Sequence, residues 1–110
     1  MTLIPTIRKV PQLNIEHEAG TSFLFSFTKE DAPNVPTNLT GRTYKMLIEK
    51  DGTDIDITGD IGTPANGIVT FSKNTTEMIW LVAGTYPYTV YYTATGDIKV
   101  EELKGSIIVP

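Results

Sequence analysis

The chain contains no cysteine and only one histidine, His17, among its 110 residues. The first absence excludes disulfide bonds, thiolate zinc sites, iron–sulfur ligation and a cysteine nucleophile. The second excludes a metal site built on two histidines, and no third group near His17 completes a nucleophilic arrangement. His17 stands between two glutamates just before Ala19-Gly20, and we expect it on the surface at the end of a strand.

Long apolar runs are also missing. The longest have the length of Met78–Ala83, six residues, against the about 20 that a membrane helix needs. The N-terminal residues place their charges after the apolar ones and include Pro5, which is the wrong order for a secretory signal. Positive charge is scarce, since 9 Lys and Arg stand against 13 Asp and Glu for a net charge of −4. We therefore expect no nucleic-acid partner and no membrane.

The carboxylates form no catalytic or metal-binding pattern. Four aspartates lie close together in sequence: Asp51, Asp54, Asp56 and Asp60. A calcium loop would place its bidentate acid where Gly62 stands, so we expect Asp54 and Asp56 to form the solvent face of a strand, with a weak calcium site as the alternative. Glu101 and Glu102 are adjacent, and a regular strand points them to opposite faces rather than into one cleft. We predict no catalytic, cofactor-binding or metal-binding residues, and a protein that is not an enzyme.

What the sequence does contain is a two-residue alternation of apolar and polar side chains, typical of half-buried antiparallel strands. Thr21–Thr28 places three phenylalanines on one face, with Leu24 on the less buried one. Thr43–Glu49 alternates in the same way, and we expect it to bury three side chains: Tyr44, Met46 and Ile48. Asp51-Gly52 then predicts a hairpin to a strand over Asp54–Thr58.

A short strand and one helical segment follow. Ile68–Phe71 continues the alternation. Asn74 is a good N-cap, and Glu77 stands at the third helical position. We therefore predict one or two helical turns over Thr75–Leu81, with the apolar side chains facing the core.

The last two strands are the longest. Tyr86–Tyr92 keeps alternate apolar side chains on one face, and Pro87 predicts an edge strand or a strand start because proline cannot donate to a ladder. The apolar phase of Ile98–Val109 switches near Glu101-Glu102, which predicts a bulge, with a strand that changes sheets as the alternative. Gly84-Thr85-Tyr86 is typical of the tyrosine corner of immunoglobulin-like folds.

These elements predict a single domain of the all-β class. Seven strand candidates begin at Gln12–Glu16 and are separated by turn residues, which indicates an immunoglobulin-like β-sandwich of about seven antiparallel strands with at most one short helix. We assign residues 12–110 to this domain. Residues 1–11, with two prolines, form an extended N-terminal arm.

Two groups of apolar side chains are candidate interaction residues. The N-terminal arm holds four of them: Leu3, Ile4, Ile7 and Val10. Burying these four would contribute roughly 4–8 kcal/mol before ordering costs, so we expect the arm to dock on a neighbouring subunit or capsid surface. Tyr91 lies on the face opposite the buried tyrosines, and with Trp80 nearby it would anchor a protein interface or stack on a sugar ring. The alternative is that these aromatics belong to the core, with wet hydroxyl groups.

Five short motifs, in this order, carry a resemblance to a known family: Ala19–Phe23, Asn38–Tyr44, Gly67–Phe71, Ala83–Tyr88 and Leu103–Pro110. Together they resemble the N-terminal domain of phage baseplate upper proteins and related small tail or head-fibre components. The resemblance covers about residues 12–110.

The resemblance implies a non-enzymatic structural protein of a phage particle, serving as a head-fibre, decoration, or tail or baseplate adaptor module. It implies assembly with other virion proteins and a homo-oligomer in the particle, and it transfers no catalytic residues. We expect the protein to be made in the host cytoplasm and to reside in the virion. The alternative function is a carbohydrate-binding module that attaches to host or mucus glycans through Trp80 and Tyr91.

Overall fold

Nine strand segments account for most of the described residues in this computed structural model, which covers 10–50, 54–76, 78, 81–94 and 99–110. In chain order they are β1 (Ile15–Glu16), β2 (Phe23–Thr28), β3 (Glu30–Ala32), β4 (Val35–Pro36), β5 (Thr43–Ile48), β6 (Ile55–Thr58), β7 (Ile68–Lys73), β8 (Gly84–Thr93) and β9 (Lys99–Val109). A three-residue 3-10 helix, Pro64–Asn66, lies between β6 and β7. The all-β sandwich predicted from the sequence is confirmed.

The strands form a larger sheet with the order β1-β9-β8-β5-β6, a facing pair β2-β7, and a small ribbon β3-β4. Within the larger sheet, the run β9-β8-β5-β6 matches the G-F-C-C′ order of variable-type immunoglobulin domains. Two details differ from the prediction of about seven antiparallel strands. The ribbon is additional, and β1 runs parallel to β9, with Ile15 opposite Ile107. Strands from the two ends of a chain share no hairpin, so no turn forces them to be antiparallel.

The core lies between the two sheets and is built from the alternation that the sequence shows. Phe23 is buried and Leu24 is 73% exposed, as expected for opposite faces of β2. The three predicted side chains of β5 are fully buried, together with the central residues of the other long strands: Tyr44, Met46, Ile48, Ile57, Val69, Phe71, Tyr88, Val90 and Ile107.

The predicted helical turns over Thr75–Leu81 lie partly outside the described residues, which omit 77, 79 and 80. Met78 and Leu81 face the core and are buried, and the Met78 N–H donates to the Asn74 carbonyl at 3.1 Å. The described residues of this segment form turns, whereas Glu77 and its predicted capping role lie outside the described residues. The short helix is instead Pro64–Asn66, which ends at Gly67 in a left-handed conformation (φ 69°).

The predicted tyrosine corner is present at the start of β8. The Tyr86 hydroxyl donates to the Val82 carbonyl at 2.8 Å, four residues upstream. This bond ties the β7–β8 connection to the strand that follows it, which is the structural role that the motif has in immunoglobulin-like sandwiches.

Pro87 does not occupy an edge strand, because β8 lies between β9 and β5. The Pro87 carbonyl accepts a hydrogen bond from the Glu49 N–H at 2.8 Å, just beyond the end of β5. The nitrogen and the carbonyl of a strand residue point to the same side. The Pro87 nitrogen, which has no hydrogen to donate, therefore faces Glu49, where β5 has already ended. A proline is therefore tolerated inside this strand.

The predicted bulge in β9 is confirmed. Val90 lies opposite Leu103 and the next residue, Tyr91, lies opposite Glu101, so Glu102 is the extra residue. The Glu102 side chain is only 3% exposed, whereas Glu101 is exposed. A bulge re-aims one side chain, and here it turns a carboxylate inward.

The expectation that His17 lies on the surface is wrong. His17 is 8% exposed, and its ring packs edge-on against Phe23 with 5.5 Å between ring centroids. The backbone N–H of His17 donates to the Ile108 carbonyl at 2.9 Å, which continues the parallel pairing of β1 with β9. Because of this pairing, the imidazole ring lies in the interior, against Phe23.

The segment before β1 is strapped along β9 by hydrogen bonds. The Lys104 N–H donates to the Pro11 carbonyl at 3.1 Å, and the Leu13 N–H donates to the Lys104 carbonyl at 2.9 Å. The buried Tyr88 hydroxyl donates to the Leu13 carbonyl at 2.6 Å. Gly105 lies directly opposite Tyr88, and a Cβ at this glycine would overlap the Leu13 carbonyl oxygen. The strap therefore requires glycine at this position.

We expect Gly105→Ala to lower the free energy of unfolding by about 1–3 kcal/mol, because the methyl group would push the Leu13 backbone away from β9. Urea unfolding followed by circular dichroism measures the change. Ser106→Ala, at the next position of β9, is the matched control and should change the free energy by less than about 0.5 kcal/mol. Equal unfolding midpoints for both variants would contradict the close approach.

Burial raises the pKa of Tyr88 to about 12. The unfolded chain ionises its tyrosines near pH 10, so the folded state retains a proton that the unfolded state loses. Stability is therefore intact below about pH 10 and should fall by about 2–3 kcal/mol as the pH rises to about 12. Tyr88→Phe should make that decline shallower in urea titrations across this range. An equally steep decline in both proteins would contradict the shift.

Candidate functional site

A groove opens between the two sheets where β2 faces the edge formed by β9 and the segment before β1. It has a volume of about 290 Å³, and we call it the lateral groove. Its lining residues are Pro11, Leu13, Phe25, Ser26, Phe27, Thr28, Lys29, Glu102 and Leu103. Leu13 is 46% exposed, and Phe25, Phe27 and Leu103 are half-buried, so apolar surface dominates. An exposed apolar surface of this kind is typical of a site that binds an apolar part of another molecule.

The polar end of the lateral groove is an ionic cluster centred on Glu102. Lys29 Nζ donates to Glu102 Oε2 at 3.1 Å. Arg42 Nη1 lies 3.7 Å from Glu102 Oε1. A buried carboxylate needs such partners because its desolvation costs several kcal/mol. Lys29, which follows β2 of the smaller sheet, and Arg42, which precedes β5 of the larger sheet, therefore compensate the residue that the bulge turns inward.

Two tyrosines hold the Arg42 guanidinium in place. Arg42 Nη1 donates to the Tyr44 hydroxyl at 3.1 Å, and the guanidinium carbon lies 4.3 Å from the Tyr92 ring centroid. Burial by itself would lower the pKa of Arg42, but the hydrogen bond to Tyr44 and the electrostatic effects of Tyr44, Tyr92 and, least of all, Glu102 outweigh it and raise this pKa. Burial also raises the pKa of the Tyr44 hydroxyl, and Glu102 adds to that effect. Arg42 thus remains charged and Tyr44 neutral at physiological pH.

The ionic cluster joins the two sheets through the contact of Lys29 with Glu102. Glycoside hydrolysis needs two carboxyl groups facing each other across a cleft, and Glu102 is the one carboxylate among the described residues of the lateral groove. Among the same described parts of the chain, no group of three or more His, Cys, Asp or Glu is arranged to hold a metal ion. Asp54 and Asp56 are exposed, as expected for the solvent face of β6.

The structure describes two of the six predicted interaction residues, Val10 and Tyr91. Leu3, Ile4 and Ile7 lie outside the described residues, as does Trp80. Val10 is half-buried and directly precedes Pro11, one of the residues that line the lateral groove.

Tyr91 occupies a separate surface. It lies on the outer face of the larger sheet, opposite Lys45 on β5 and Glu101 on β9. It is half-buried, and Lys99 Nζ lies 4.0 Å from its ring centroid. The ammonium group covers one face of the ring that a sugar or a partner protein would contact.

The sequence pattern did not identify Glu102, Lys29 and Arg42 as members of one site. The phase switch in β9 was a usable signal, since it placed the irregularity near Glu101-Glu102. The pairing itself joins residues 73 positions apart, and no local pattern shows which cation reaches the carboxylate.

In the described part of the chain there is no helix with the length and apolar character needed to cross a membrane.

Neither a family model nor a curated protein sequence matches the chain. Among solved structures, the fold is similar to the N-terminal domain of ORF48 of phage TP901-1, with a TM-score of 0.54 and 12% sequence identity. That match covers 92% of this chain and 84% of the phage chain. At this identity the likeness establishes the fold alone. A shared fold with a phage protein domain, the coarser part of the resemblance, is therefore confirmed.

Two further solved structures match with TM-scores of 0.48. One is a candidate glycoside hydrolase from Bacteroides vulgatus, 13% identical over 87% of this chain. The chain spans 16% of the length of that hydrolase. The other is a VGSC β subunit studied for cell-adhesive interactions, 12% identical over 99% of this chain and 100% of that chain.

Glu102→Ala should lower the free energy of unfolding by about 2 kcal/mol, because it leaves Lys29 and Arg42 partly buried without their carboxylate. Chemical denaturation at neutral pH measures the loss. The matched control is Asp56→Ala, which removes the exposed pair of Asp56 with Lys45 (3.6 Å). The control should cost less than about 1 kcal/mol. A Glu102→Ala protein as stable as the control would show that the cluster does not hold the sheets together.

Proposed function

We propose that this chain is a non-enzymatic structural protein of a phage particle and acts by binding other virion proteins. The observation that carries the proposal is the lateral groove, an open and mostly apolar surface between the sheets. Enzyme and small-molecule sites combine an enclosed pocket with several convergent polar groups. An open apolar groove instead suits a segment of another protein.

The biological setting comes from the likeness in fold to the N-terminal domain of phage TP901-1 ORF48, which extends over 92% of the chain. The motifs that resemble baseplate upper proteins and head-fibre components support the same setting. The specific place is a head-fibre, decoration, or tail or baseplate adaptor module, and the protein resides in the virion after synthesis in the host cytoplasm.

The N-terminal arm is the part of the chain that reaches other proteins. Three of its apolar residues, Leu3, Ile4 and Ile7, precede Val10 within a few positions. The strap through Pro11 holds the point where the arm leaves the domain. We expect the arm to dock on a neighbouring subunit or on the particle surface, because burying these side chains gains free energy that a solvated arm does not.

Deleting residues 2–9 should leave the domain folded and reduce incorporation of the protein into particles, because the strap from Pro11 onward remains intact. The test uses a phage that encodes the chain, and mass spectrometry of purified particles gives the copy number of native and shortened protein. Thermal unfolding of both purified proteins is the control for folding. Absence of the native chain from particles would overturn the proposed function, whereas full incorporation of the shortened chain would overturn the role of the arm alone.

A glycan array separates the alternative function from the proposed one. Carbohydrate binding that disappears in Tyr91→Ala, together with absence of the protein from particles, would favour an attachment module. Lys99 competes with a sugar for the same ring, so Lys99→Ala should then strengthen that binding rather than weaken it.

A further inference from the structure

The edges of the two sheets differ in how they are protected against pairing. In the described chain, β1 has two residues including Glu16, and β6 has four and carries Asp56. The outer edge of β7 is bridged by Asp60, which exchanges two hydrogen bonds with Thr70 at 2.8 and 2.9 Å. β2 has six residues without a charge or a proline. Charges, prolines and short length are the usual protection of an exposed edge, and β2 has none of them.

The β2 edge presents the backbone groups of Leu24, Ser26 and Thr28. Thr70 directs its N–H and its carbonyl to Asp60, away from β2, so its partner Ser26 forms a non-hydrogen-bonded pair with it. Because this orientation alternates along an antiparallel ladder, Leu24 and Thr28 also direct their N–H and carbonyl groups to the free side. None of the described residues pairs with these groups. The β2 edge is therefore ready to accept a further strand.

We propose that this edge pairs with the β2 edge of a second copy of the same chain, antiparallel and about a two-fold axis at Ser26. In that register Ser26 lies opposite Ser26 of the second copy, and Leu24 lies opposite Thr28 of the second copy. Each of the three residues both donates and accepts, which yields about six backbone hydrogen bonds. The two β2-β7 pairs then become one continuous four-stranded sheet.

The absence of charge on β2 favours it over β6 as the edge at which two copies meet. Each copy carries a net charge of −4, so a surface shared by two copies must add no further contacts between like charges. Pairing of β6 with a second β6 would bring Asp56 close to the same carboxylate of the other copy, whereas β2 brings no charges together. An edge that faces its own copy must be self-complementary, and the uncharged β2 edge meets that condition.

The same register also covers part of the apolar surface at the mouth of the lateral groove. On the inner face, Phe25 lies opposite Phe27 of the second copy. Such aromatic cross-strand pairs are favourable in sheets. Both phenylalanines are half-buried at the mouth of the groove, beside Leu103 and the 46%-exposed Leu13. Dimerisation therefore covers apolar surface as well as the backbone edge. This inference is independent of the proposed function, because the pairing does not require that the protein belongs to a phage particle.

Single-cysteine variants test the register directly, because the chain has no cysteine of its own. In the proposed dimer, Ser26→Cys places two thiols on the two-fold axis with Cα atoms about 5.5 Å apart, which suits a disulfide. Leu24→Cys is the matched control, since the two copies of this position lie about 14 Å apart. Mild oxidation should convert most of the Ser26→Cys protein, and little of the control, to a covalent dimer. Equal cross-linking of both variants would overturn the proposed register.

A charge on the edge tests the association without cross-linking. Leu24→Lys should raise the dimer dissociation constant in sedimentation equilibrium at least about tenfold, since it places a charge opposite Thr28 of the second copy. Ser72→Lys adds the same charge to the same face one strand further in, opposite Leu24, and should leave the constant near its native value. Equal constants for the native chain and Leu24→Lys would contradict pairing through β2.

The competing occupant of the edge is the N-terminal arm of the same chain. Native protein that stays monomeric, together with a dimer that forms only after deletion of residues 2–9, would assign the β2 edge to the arm and overturn the proposal. Dimerisation of both the native and the shortened protein supports it. These outcomes are separate from the presence of the chain in particles, so failure of one proposal does not decide the other.

Discussion

The extra residue in β9 is the constraint on which the rest of the site depends. Without it, Glu102 would be an ordinary strand residue and the apolar side chains on its two sides could not share a face. With it, Leu103 packs against the core and Glu102 turns inward to meet Lys29 and Arg42. One irregularity in a ladder therefore sets the hydrophobic phase of the last strand and creates the buried charge that two other segments must compensate.

The two sides of the sandwich differ as a consequence. On the β6 side, the edge strand is short and lies beside exposed aspartates, which disfavours pairing with another chain. On the β2 side, the strap along β9 and the ionic cluster frame an apolar groove beside an uncharged edge. Proteins that avoid association protect every edge, whereas assembly proteins leave one open. This asymmetry agrees with a protein whose role is to bind other proteins.

Much of the fold could be predicted because its signals are local. Alternation placed Tyr44 and Met46 in the core, and the spacing around Tyr86 indicated the tyrosine corner. Predictions for His17 and Pro87 were wrong for a common reason. Each outcome depends on a neighbouring strand. Pairing with β9 places the His17 imidazole in the interior, and β5 ends before the position where the Pro87 nitrogen would have to donate a hydrogen bond. No short stretch of sequence contains that information.

By itself, the sequence determined the class of the fold, the face that each long strand buries and the position of the bulge. All of these follow from the two-residue period of a strand and from where it breaks. Only the tertiary structure decided that β1 runs parallel to β9, that Lys29 and Arg42 reach Glu102, and that no described residue pairs with the outer edge of β2. The physical reason is that the order of strands in a sheet brings together residues distant in sequence, and their hydrogen bonds and charges act only after the chain has folded.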